Sequence, residues 1–131
     1  MKGKETTMII LKATEQNWGL VGPGAWEKHS WKIHDDGWYQ HKETYRTGDP
    51  DEFPAVPEMV MEGTLSDDQM NRLKAALAQD WSDEKTDACD DGVAWEFKLY
   101  ENGQIVKHRD LGYIYGVEPF EMIAAVLSEK L

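Results

Sequence analysis

The chain has 131 residues, one cysteine, and 14 basic against 25 acidic side chains, a formal net charge of −11. A single cysteine excludes an intrachain disulfide and a zinc site built from several cysteines. A pI near 4.7 describes a surface that repels nucleic-acid phosphates and anionic lipid and favours a basic protein partner.

The length fits one domain, 1–131, with a core that needs no staples. Met1 to Thr7 is polar. The apolar run that follows, Met8 to Leu11, is too short for a signal peptide or a membrane span, so a reducing, cytoplasmic setting is expected. The same run suits a short strand buried on both faces. Gly19 to Gly24 is a glycine-rich loop without the Gly-Lys-Ser/Thr ending of a phosphate-binding loop or the G-x-G-x-x-G order of a dinucleotide site.

Ser30 to Arg46 reads as a hairpin. A three-residue loop, Asp35-Asp36-Gly37, sets Ile33 against Tyr39 and gathers Trp31, Ile33 and Tyr39 on one face. Trp38 then points the other way, outward. His29, His41 and Glu43 share the face of Trp31 and Tyr39, the weak outline of a metal set; no cofactor is expected. Thr47 to Pro57 holds Pro50, Pro54 and Pro57, so it reads as a loop anchored by Phe53. Met59 to Thr64 returns as a strand.

Ser66 opens a helix. Gln69 stands at the capping-box position, Leu65 and Met70 at the staple positions, and Asp67 and Asp68 at the positive end of the dipole. Met70, Leu73, Leu77 and Trp81 give it an apolar stripe reaching about Asp80. Asp83 to Gly92 is a polar linker. Its Asp87 to Gly92 portion has a calcium-loop look, but Cys89 occupies a ligand position and Lys98 the place of the closing acid. Cys89 sits among acids, which blunts its thiolate.

Val93 to Tyr115 is the organising hairpin. Val93, Trp95, Phe97 and Leu99 alternate with polar residues, and Asn102-Gly103 is a two-residue turn. Straight pairing sets Tyr100 against Ile105, Leu99 against Val106, Phe97 against His108, Glu96 against Arg109 and Trp95 against Asp110. His108 and Asp110 then lie at the rim of the apolar face. Pro119 starts a last helix with Phe120, Ile123, Ala124 and Leu127 buried. The matched spacing of the two hairpins suggests pseudo-duplicated hairpin–helix units, 28–81 and 92–131.

The expected fold is α+β: an antiparallel sheet of two hairpins plus short strands, with two amphipathic helices packed on one face. Residues 47–71 carry seven acids and no Lys or Arg, and residues 80–91 carry six acids against Lys85 alone. An acidic surface keeps a protein soluble, but acids on a proline-stiffened loop also suit a basic surface. The expected function is therefore a non-enzymatic acidic inhibitor of a basic protein, of the immunity or anti-defence type. Its contacts would be Trp38, Asp49, Asp51, Glu52, Phe53, Glu58, Asp83, Glu84 and Asp87. The rival is a small-molecule binder or enzyme using the histidines of the sheet.

Overall fold

The computed structural model describes residues 7–17, 25–46, 48, 51–52, 56–79, 81, 93–111 and 118–129. The described elements run β1 (Ile9–Asn17), β2 (Trp26–His34), β3 (Trp38–Tyr45), β4 (Met59–Thr64), α1 (Asp67–Leu77), β5 (Val93–Glu101), β6 (Gln104–Leu111) and α2 (Glu118–Ser128). The strands form one sheet in the order β4-β3-β2-β1-β5-β6. Every ladder is antiparallel. The protein is thus mixed α+β and mostly sheet.

The first four strands meander outward, and β5 then returns to the free side of β1. β1 therefore lies inside the sheet, whereas β5 and β6 form one end of it. The position expected of the 93–115 hairpin belongs to β1. β1 is also longer than the expected Met8 to Leu11 strand, and it has two different faces. Leu11 and Ala13 are buried, while Lys12 and Thr14 are half-exposed. Sequence periodicity misses this because Glu15 and Asn17 take the next inward positions, where an apolar pattern looks for hydrocarbon.

Between β2 and β3, Gly37 adopts φ +94° and its N–H donates to His34 O at 2.9 Å. Ile33 stands opposite Tyr39, the register that the three-residue loop predicts. Asp36 Oδ1 accepts from the Trp38 N–H at 3.0 Å. Trp38 takes the face opposite Tyr39, as expected, but it is not exposed there. Its ring packs edge-on against His34 with centroids 4.9 Å apart, and the residue is only 8% exposed.

Asn102 (φ 53°) and Gly103 (φ 81°) close the β5–β6 turn. Glu101 faces Gln104 and Tyr100 faces Ile105; a bulge at Val106 then shifts the register by one residue. The remaining pairs are Leu99–Lys107, Lys98–His108, Phe97–Arg109, Glu96–Asp110 and Trp95–Leu111. The straight register is overturned, and the bulge has a clear gain. It turns Lys107 and Arg109 to the side of Leu99 and Phe97. Lys107 Nζ donates to Leu77 O at 3.3 Å and to Gln79 O at 3.0 Å, a cation at the negative end of α1. The Arg109 guanidinium donates to Trp81 O.

α1 begins as its sequence dictates. The Gln69 N–H donates to Ser66 Oγ at 3.1 Å, and the Ser66 N–H donates to Gln69 Oε1 at 2.8 Å. Leu65 and Met70 are both buried beside this cap. Arg72 forks onto Glu129 beyond α2, with both bonds at 2.7 Å. Leu73, Leu77, Phe120, Ile123 and Leu127 of the helices share one buried cluster with Leu11, Trp31, Ile33, Tyr39, Phe97 and Leu99 of the strands. No helix among the described residues is long and apolar enough to cross a membrane.

Candidate functional site

The ladders place two polar-aromatic rows side by side on the core-lining face of the sheet. One runs Met59–Glu43–His29–Glu15–Trp95 across five strands. The next runs Met61–His41–Trp31–Ala13–Phe97–Arg109. Residues opposed in a ladder share a face, so His29, His41 and Glu43 do come together as their spacing predicts.

Their geometry is closed. His29 Nδ1 and His41 Nε2 share a hydrogen bond of 2.8 Å, and His29 Nε2 lies 3.6 Å from Glu43 Oε2. The rings stack as well, with centroids 5.0 Å apart for His29–His41 and 4.8 Å for Trp31–His41. Trp95 continues the stack over Trp31 at 5.7 Å. His41 is 2% exposed, and its Nδ1 is buried without a hydrogen-bond partner. Burial, then the neighbouring His29, push His41 down to about 4. Burial also lowers His29, against the opposing pull of Glu43. Burial pushes Glu15 up to about 7. The two imidazoles are thus neutral near pH 7, and their facing nitrogens are spent on each other rather than converging on an ion. Glu15 was missed by sequence reading; its signal was a carboxylate at an inward position of an alternating strand.

His108 and Asp110 do not flank the apolar face as expected. The bulge at Val106 sends them to the opposite face with Glu96. There His108 Nε2 lies 2.8 Å from Glu96 Oε2 and 3.8 Å from Asp110 Oδ1. Among the described residues these three are a set whose ligand atoms lie within 4.8 Å of one another. They are half-exposed or exposed, and an ordinary surface ion pair accounts for them.

The acidic contacts divide. Asp51, Glu52 and Glu58 are exposed. Asp49, Phe53, Asp83, Glu84 and Asp87 lie outside the described residues, as do Cys89 and the glycine-rich loop. Buried Trp38 offers no outward anchor. The structure offers different apolar surface in the same stretch: Val56 is 42% exposed, Met59 43% and Val60 46%. β4 is an outer strand whose far side has no partner among the described residues. Its apolar side chains stand between Glu58 and Glu62. Sequence reading placed the strand but not its position at an edge, because edge or interior is decided by the return of β5 to β1.

Compared with known proteins, the chain matches no family model and no curated sequence.

Proposed function

We propose that this chain is a non-enzymatic acidic protein that binds and inhibits a basic protein in the cytoplasm, such as a nuclease, a nucleic-acid-processing effector or a toxin. In this reading both helices lie on the core-lining face of the sheet and leave the β4 edge to the partner. One observation carries the proposal: the outer edge of β4 exposes Met59 and Val60 within a stretch, 47–71, that has seven acids and no Lys or Arg. An edge strand supplies unpaired backbone groups for an added strand, its side chains supply apolar contact, and the acids select a basic partner.

The test is surface binding of basic proteins recovered from host lysate, with rates measured at low and high salt. Changing Asp49, Asp51, Glu52 and Glu58 to Asn or Gln should leave folding intact and slow association, with the difference shrinking at high salt. Parent-like association of this variant at low salt would make the loop a solubilising surface only.

The rival reading, an enzyme or small-molecule binder, draws on the contact among His29, His41 and Glu43. It requires His41, buried under Trp31 and His29, to reach a substrate. Zinc-dependent stabilisation abolished by His41→Ala would favour it.

A further inference from the structure

On the face of the sheet opposite the core, lysines gather in a chain whose net charge is −11. Lys12 stands directly opposite Lys32 on one side and Lys98 on the other. Three ammonium groups thus occupy one row across three adjacent strands. Lys42 lies diagonally beyond, opposite Ser30, and Ser30 is opposite Thr14. Like charges directly opposite in a ladder are destabilising. The arrangement is more notable in a chain where 25 acids outnumber 14 bases, since acids were available to alternate with the lysines.

Little within the described residues offsets this charge. Lys98 Nζ lies 3.9 Å from Glu96 Oε2, a carboxylate already held by His108. Lys12 Nζ sits 5.5 Å from the centre of the Tyr100 ring. Neither Lys32 nor Lys42 forms an ion pair with a described residue. The same side chains border a shallow depression of about 250 Å³, with Lys12, Lys32, Lys42, Thr14, Ser30 and Gln40 among its lining. The Gln40 amide donates to Glu62 Oε2 at 3.2 Å at the β4 side of the depression, which leaves the ammonium groups beside the Thr14 and Ser30 hydroxyls as a donor set for phosphate oxygens.

We propose that this depression binds a small, multiply charged anion of the phosphate class, such as a polyphosphate or a phosphorylated metabolite. The ammonium groups of Lys12, Lys32 and Lys42 neutralise it, and the Thr14 and Ser30 hydroxyls donate to its remaining oxygens. The ligand relieves the repulsion along the lysine row, so binding and stability are coupled. The depression is compact, which suits a small anion rather than a long strand lying across the sheet. This site adjoins β4, since Lys42 stands opposite Val60, but its ligand and its test differ from those of the β4 edge, so the two proposals fail separately.

The experiment is calorimetric titration of the full chain with inorganic tripolyphosphate at low ionic strength, beside a thermal melt of each sample. The parent should bind saturably at one site and melt higher with the anion present. Lys12→Gln/Lys32→Gln should bind at least about tenfold more weakly. Without ligand it should melt no lower than the parent, because the substitution removes a like-charge contact. A single-stranded oligonucleotide is the second arm. Saturable oligonucleotide binding without tripolyphosphate binding would overturn the proposal in favour of a nucleic-acid surface. Absence of saturable tripolyphosphate binding, or equal binding by the double variant, would overturn it outright.

Discussion

β4 and β6 are both outer strands, yet β6 is guarded and β4 is open. β6 carries a bulge at Val106, turns Lys107 and Arg109 inward, and presents His108 and Asp110 on its other face. Bulges and inward charges are devices that keep an edge from pairing with another chain. β4 has none of them. Its ladder to β3 runs from Trp38–Thr64 to Glu43–Met59 without a register shift, and Met59 and Val60 are exposed on it. Both edges expose apolar side chains, Met59 and Val60 on β4 and Ile105 and Val106 on β6, so the difference lies in regularity and inward charge: β6 is bulged and charged inward, β4 is neither. That contrast is what the proposed docking of a partner on β4 rests on.

The largest expected effect concerns how β4 is held. A Cβ at Gly63 would stand 2.7 Å from Tyr39 Oη and 3.0 Å from the ring. Tyr39 is a core side chain with little room to retreat, so Gly63→Ala should cost about 1–3 kcal/mol, read from the urea midpoint. If the midpoint is unchanged, β4 is not seated against Tyr39 and its edge is not the rigid one described above.

Next in size is the cap that follows β4. Ser66→Ala should cost about 0.5–2 kcal/mol, because it orphans the N–H of Gln69. A midpoint equal to the parent's would remove the cap as the stop between β4 and α1. For the guarded edge, Lys107→Met keeps an apolar stem but removes the cation at the end of α1. A loss of about 0.3–1 kcal/mol is expected, and no loss would mean that the bulge at Val106 has another cause.

The smallest effect lies between the edges, in the row containing Glu15 and His29 and the adjacent His41. Glu15, raised from 4.5 to about 7, holds its proton longer folded than unfolded, so its contribution to stability falls as pH rises between those values. His41, lowered from 6.5 to about 4, binds its proton more readily unfolded, so its contribution falls as pH drops through that window. The two slopes oppose each other in the parent. Glu15→Gln should therefore steepen the loss of stability on acidification from pH 6.5, as followed by urea midpoints across pH. An unaltered pH profile would show that Glu15 titrates normally.

What was legible in the sequence divides along local and non-local lines. The Ser66 cap, the Gly37 loop and the Asn102-Gly103 turn follow from residues within a few positions of one another, and each appears where its residues specify. The extent of β1 was not legible, because Glu15 and Asn17 break the apolar alternation. The β6 bulge was not legible either, since its gain is a contact between Lys107 and the distant end of α1. At the candidate site, the shared face of His29, His41 and Glu43 follows from period two. The exposure of Met59 and Val60 does not, because it depends on which strands β5 and β1 choose as neighbours.

The most direct test of the open edge is amide hydrogen exchange of the chain with and without a bound basic protein recovered from lysate. Protection gained by the β4 amides that lack a partner in β3, with β6 unchanged, is the predicted result. Protection confined to β6 or to the lysine face, with β4 exchanging as in the free chain, would contradict it.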